Sequence, residues 1–193
     1  MPASYFDEHE IEHVCLSYTI EGQSYPDSFA NEAEYSAFYD KMRAGAHSMT
    51  SQVNADQFTQ LLEPYLKQGR DILYLCFSSG LSSTYNSAEI AKADLLEKYP
   101  DAHIAIIDSL CASMGEGLFL HYAVQKADSG ATLDETVAYL EELKLKVCHW
   151  FTVEDLIYLK RGGRVSAAAQ LVGSLLSIKP VLHVDNDGHL IPV

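Results

Sequence analysis

The chain has 193 residues, 48% of them hydrophobic and 21% charged, which suits one globular domain, or one and part of a second, with a sizeable core. Thirteen basic residues against 27 acidic ones leave a formal net charge of −14, a field that excludes attachment to nucleic acid or to an anionic membrane surface by overall charge. No apolar run has the length of a membrane span and the N-terminus lacks a signal-peptide pattern. Cys15, Cys76, Cys111 and Cys148 form no CxxC pair, so they read as reduced thiols of a soluble, cytoplasmic protein with no stable membrane insertion.

The first dozen residues are acidic and suit a short helix or turn. Residues 13–20 (HVCLSYTI) alternate as a strand does, and Glu21-Gly22 turns the chain into residues 23–25. Tyr35, Phe38, Tyr39 and Met42 recur at helical spacing before Gly45. Asn54 is placed to cap a helix whose Phe58, Leu61, Leu62, Tyr65 and Leu66 share one face, and Gly69 ends it. Residues 71–77 (DILYLCF) and 103–107 (HIAII) are continuous apolar runs, as parallel strands covered on both faces require. Helices are expected to about residue 99, over 114–127, and from a Thr132/Glu135 capping box to about 145. Residues 146–152 (KVCHWFT) read as a third parallel strand. The fold class over residues 1–152 is therefore α/β, a Rossmann-like parallel sheet with helices on both faces.

The pattern changes from residue 153. A short amphipathic helix over 153–160 precedes Arg161-Gly162-Gly163-Arg164, an Ala- and Leu-rich helix over 166–176, and a strand over 178–184. The hairpin turn 185–188 (DNDG) leads to a return strand over 189–193. Residues 153–193 are expected to begin a second α/β domain with antiparallel strands. The return strand has no partner after it, so the chain reads as a fragment of a longer product.

Chemistry concentrates after the first buried strand. Ser78-Ser79-Gly80-Leu81-Ser82-Ser83-Thr84 sets five aliphatic hydroxyls and a glycine between strand and helix. In α/β proteins ligands bind at the carboxyl ends of parallel strands. Hydroxyls together with the free N–H groups of a helix start favour an anion such as a carboxylate or phosphate. Capping accounts for any one of these serines; their density points to an anion site. Met49-Thr50-Ser51-Gln52 is a second small polar cluster, and Asp108-Ser109 ends the next strand on the same rim. A cap at Asn54 and a capping Asp108 are equally good accounts of each alone. One glycine of Gly162-Gly163 reads as a left-handed helix cap, leaving Arg164 open to a contact with an anion or an acidic partner.

Enzyme signatures are missing from the sequence. It contains no GxSxG elbow, no GxxxxGK[ST] loop, no GxGxxG fingerprint and no HExxH or spaced metal-ligand cluster. No catalytic residue, metal or cofactor is therefore expected. Cys111 with His149 or His183 would be a nucleophile pair only if the fold joined them.

Taken in order, Thr50-Ser51-Gln52, the serine loop through Tyr85, Ile107-Asp108-Ser109, residues 156–166 (LIYLKRGGRVS) and 178–182 (IKPVL) resemble the DegV family, fatty-acid-binding subunits of bacterial fatty acid kinases. Pro2 and residues 22–27 (GQSYPD) fit that family's opening. Two positions depart from it: Ser83 stands where a glycine is usual, and Val53 where a proline is usual. The family also begins with an Asp-Ser strand before the position of Pro2 and continues beyond Val193. The resemblance implies a two-domain fold, incomplete here, with an acyl chain between the lobes. It implies that Thr50, Ser78, Ser79 and Ser82 supply the fatty acid carboxylate's donors. Ser51, Gly80, Asp108, Ser109 and Arg164 are then candidate pocket or partner contacts. It further implies that this chain is a carrier, with no catalysis of its own, and that a separate ATP-dependent kinase subunit converts the bound carboxylate to an acyl phosphate. Chain-length preference would fall to residues such as Phe119, Leu171 and Leu175. The alternative is a phosphotransferase of related fold acting on a small hydroxy or keto substrate.

Physical magnitudes agree with the carrier reading. About 0.8 kcal/mol per buried CH₂ gives an ordinary acyl tail roughly 10 kcal/mol before ordering losses. A buried carboxylate without partners would lose several kcal/mol or take up a proton, which hydroxyl and backbone donors prevent.

Overall fold

The computed structural model describes residues 1–28, 32–154, 156–165 and 179–193. Helix α1 (Ala3–Glu8) precedes β1 (Ser17–Ile20) and β2 (Gln23–Pro26). Then come α2 (Glu32–Arg43), β3 (Ser48–Ser51), α3 (Ala55–Leu66), β4 (Ile72–Cys76), α4 (Thr84–Lys98), β5 (Ile104–Asp108), α5 (Ser113–Asp128) and α6 (Leu133–Leu143). The chain ends with β6 (Trp150–Thr152), α7 (Ile157–Arg161), β7 (Val181–Val184) and β8 (Leu190–Pro192).

Strands β4 and β5 pair in parallel from Ile72↔Ile104 to Cys76↔Asp108. Their continuous apolar sequence is explained by burial on both faces. Ile72 and Ile104 pack with Leu62, Leu66 and Leu95 of α3 and α4. On the other face, Ile107, with Leu73 and Leu75, packs with Phe119, Ala123 and Leu140 of α5 and α6. Three layers result, as expected for the α/β class. Capping follows the sequence signals. Asn54 and Gln57 form a reciprocal capping box on α3, and Thr132 and Glu135 form another on α6.

Two further sheets are antiparallel, β2-β1-β3 and β6-β7-β8. The first contains the hairpin expected at Glu21-Gly22, where Glu21 and Gly22 both take positive φ. Only Ser17–Ile20 of the strand expected at 13–20 is paired. Val14 and Leu16 pack instead against the core of Val53, Phe58, Ala88 and Ala91.

The third parallel strand expected at 146–152 is a correction. Only Trp150–Thr152 pairs as a strand, and it does so antiparallel with β7, Trp150 opposite His183 and Thr152 opposite Val181. An apolar run records burial but not direction, and β7 offered the partner. The expected division after residue 152 thus falls between β6 and the strand it pairs with. The turn at 185–188 forms as expected, with the Gly188 N–H donating to the Asp185 carbonyl at 3.1 Å. The helix expected over 166–176, with Leu171 and Leu175, lies outside the described residues.

Candidate carboxylate-binding site

The serine loop leaves the carboxyl end of β4 and is held from beneath by β5. The Ser78 N–H donates to the Cys111 carbonyl at 2.9 Å. Asp108 accepts on one carboxylate oxygen from the Ser79 and Leu110 N–H groups, each at 3.1 Å. Ser109 is fully buried; its hydroxyl donates to the Cys76 carbonyl at 2.6 Å and accepts from the Cys111 N–H at 3.1 Å. Asp108 and Ser109 therefore lie on the same rim as the loop, as expected, and they fix its backbone.

The loop is held from above by the end of the chain. Ser78 is fully buried and its hydroxyl donates to the Gly188 carbonyl at 2.8 Å, while accepting from the Gly80 N–H at 3.2 Å. A hydroxyl has one proton to donate, and that of Ser78 is committed to Gly188. Arg164 donates from Nε to the Leu81 carbonyl at 2.9 Å, so it supports the loop from α7's end. Gly163 takes φ +73 and closes that helix, as the sequence anticipates.

Ser79 is exposed. The hydroxyls of Ser82 and Thr84 lie 2.8 Å apart, and Ser82 Oγ also accepts from the Thr84 N–H at 3.3 Å. Helix α4 starts here, and its N-cap residue Ser83 makes no side-chain cap. The helix dipole at such an end favours an anion, as do its N–H groups. Thr84, buried and bonded to Ser82, belongs to the hydroxyl-rich loop of the sequence but was not among the donors the family resemblance named; its place at the first helical position was the available signal. The hairpin turn over 185–188 was also missed as part of the site, because no local pattern says where a turn docks.

Thr50 and Ser51 are exposed on β3, with Thr50 opposite Tyr18 of β1. Gln52, next along, donates from Nε2 to Ser87 Oγ on the first turn of α4 at 3.1 Å. Buried Val53 packs against Ala88 and Ala91 of the same helix. The end of β3 is thus tied to the helix that begins at the serine loop.

Other expectations fall outside the cradle. Phe119 is fully buried in the core between β5, α5 and α6, so it packs the fold and does not line a cleft. Cys111 is fully buried, and burial pushes its thiol up to about 12, the opposite of an activated nucleophile. A cavity of about 480 Å³ borders Thr84, Val53, Tyr74 and Phe77, but Asp27 and Glu116 also line it. Acidic side chains in its wall do not suit an anionic head group. Asp185, Asp187 and His189 bring ligand-type atoms within 4.8 Å of one another. There, one Asp185 oxygen accepts from the N–H groups of Asp187 at 3.0 Å and His189 at 2.8 Å, which shapes the turn. Among the described residues no helix is long and apolar enough to cross a membrane.

The likenesses to known proteins run over the whole chain. A DegV domain-containing protein of Clostridium perfringens is 48% identical over 190 residues, 98% of this chain and 65% of that protein. The chain therefore spans about two thirds of that relative's length. Among solved structures, a stearic-acid-binding protein from Eubacterium ventriosum superposes with a TM-score of 0.90 at 26% identity, over 100% of this chain and 66% of its own. A fatty-acid-binding DegV family protein from Thermus thermophilus gives 0.87 at 28% identity, again over 100% and 66%. The family model described as an uncharacterised protein family, DegV, matches residues 1–193, and with the three-layer fold and the serine rim in place, the chain belongs to the DegV family.

Proposed function

We propose that this chain carries the head-group cradle of a long-chain fatty acid site and presents the carboxylate to a separate ATP-dependent kinase subunit, which converts it to an acyl phosphate. The observation that carries the reading is the cluster of hydroxyls at the uncapped start of α4, with Ser79 exposed and Ser82 paired to Thr84. The likeness to the fatty-acid-binding proteins of Eubacterium ventriosum and Thermus thermophilus supports it.

In this reading Thr50, Ser79 and Ser82 donate to the carboxylate. Neutral donors suit a head group whose charge grows from one negative to about two on phosphorylation, because no cation has to be released or replaced. Asp108, Ser109, Gly80 and Arg164 hold the loop frame. The acyl chain contributes most of the affinity through burial and the cradle sets its direction. The chain itself supplies no catalytic group.

The test is lipid extraction and native mass spectrometry of protein purified from bacteria, with a co-purified fatty acid as the expected result. Replacing Thr50, Ser79 and Ser82 together by alanine should lower fatty acid affinity by about a hundredfold, the combined effect of several hydrogen bonds to a charged group. Unchanged affinity in a folded triple variant overturns the cradle. Acyl phosphate should form only when kinase subunit and ATP are both added. ATP turnover by the chain alone would favour the phosphotransferase alternative.

A further inference from the structure

Residues from two distant stretches meet at the serine loop more closely than side-chain contact alone would need. Gly80 has no room for a side chain: a Cβ there would lie 2.7 Å from the Asp187 carbonyl oxygen and 2.8 Å from the carbonyl of Gly188. Gly188 takes φ +79, and a Cβ there would fall 2.1 Å from Ser78 Oγ. Gly80 is therefore required by the approach of the turn's backbone and Gly188 by the seat of the Ser78 side chain, and the two are closed by the Ser78–Gly188 hydrogen bond of 2.8 Å. The Asp185 carboxylate gathers the N–H groups of Asp187 and His189 and so turns the chain at this point. Arg164 grips the next carbonyl of the loop, that of Leu81.

We propose that Ser78 and Gly188 form a positioning latch: the turn between β7 and β8, pinned through Ser78 and fitted against Gly80, sets the placement of Ser79 and Ser82 for the carboxylate, and Arg164 clamps the same loop one residue further on. This rests on the fatty acid reading above. Ser78 is a positioning residue and does not itself touch the carboxylate. The loop has Asp108 beneath it and the turn above it. Removing the upper contact leaves its hydroxyls at the right sequence positions but no longer held in one geometry. Donors that must be ordered on binding bind more weakly than donors already in place.

The experiment compares Ser78→Ala, Arg164→Ala and Arg164→Lys with the parent protein and with the Thr50/Ser79/Ser82 triple alanine variant. Two quantities are read: displacement of a fluorescent long-chain fatty acid, and hydrogen exchange of the peptide covering residues 77–85 without ligand. Ser78→Ala should lower affinity about tenfold, the effect of one buried hydrogen bond, and should speed exchange in the loop. Arg164→Ala should do the same more weakly, and Arg164→Lys, which keeps a donor, should recover part of the loss. Affinity lost with loop exchange unchanged would make Ser78 a direct ligand and overturn the latch. Unchanged affinity in Ser78→Ala, while the triple variant binds weakly, would also overturn it. Unchanged affinity in the folded triple variant would instead overturn the fatty acid cradle itself. Should Ser78→Ala not fold, the two Arg164 variants decide by the same two readings.

Discussion

Glu116, in the first turn of α5, lines the cavity beside Tyr74 and Phe77, and burial pushes its carboxyl up to about 7, opposed by the N-terminal ammonium. The protonated acid is thus favoured in the fold relative to the unfolded chain. Between the ordinary value of 4.5 and about 7 the folded state binds more protons, so stability falls as pH rises through that window. Glu116→Gln should flatten this dependence and stabilise the protein at pH 8 by roughly 1–3 kcal/mol. Urea unfolding at pH 5 and pH 8 measures it, and equal pH slopes for the two proteins would refute it. The thiols divide in the same physical way. Burial pushes Cys76 and Cys111 up to about 12, while Cys148 is exposed. Alkylation of the native protein at pH 8 should label Cys148 and spare Cys76 and Cys111, read by peptide mass spectrometry.

At the scale of elements, α3 and α6 are started by side chains that the sequence displays openly, whereas α4 at the site has no side-chain cap. Asn54 and Thr132 each accept from the third helical N–H, at 2.9 Å and 3.2 Å. Replacing either by alanine should destabilise the fold by about 1 kcal/mol, seen as a lower urea midpoint with an unchanged slope. Phe119→Ala should cost about 3–5 kcal/mol, since the ring is fully enclosed between α5, α6 and β5. The same substitution in a pocket wall would instead alter ligand preference at little cost in stability. Elements were legible where the signal was local: a cap at residue 54, a capping box at 132, glycine stops at 69 and within 162–163, and the apolar runs of β4 and β5. Strand β6 was not, because KVCHWFT carries the apolar content of a buried strand and nothing in it names the neighbour or the direction of pairing. Strand β3 was read only as a polar cluster, since Ser48–Ser51 lacks an apolar alternation and is extended through its pairing with β1.

Across the whole molecule, the candidate site is a junction. β4 and β5 supply its floor, α4 its positive pole, and the last antiparallel sheet its roof. Gly80→Ala should therefore act on both halves at once, because its new methyl meets the Asp187–Gly188 backbone rather than a movable side chain. We expect a lower thermal midpoint together with weaker fatty acid binding, compared by calorimetry and probe displacement. Gly69→Ala, where a Cβ meets nothing but φ is +70, should lower the midpoint and leave binding unchanged. The α/β class, the caps of α3 and α6 and the hydroxyl-rich rim could be read from the chain alone, because periodicity, capping and chemical type are properties of neighbouring residues; among the described residues, the helix expected over 153–160 forms only over Ile157–Arg161. The folded chain alone shows that Ser78 faces a turn 110 positions away, that Phe119 is core, and that β6 belongs to the last sheet. Those outcomes depend on which distant surfaces fit together, and close packing between far-apart segments leaves no mark in local sequence.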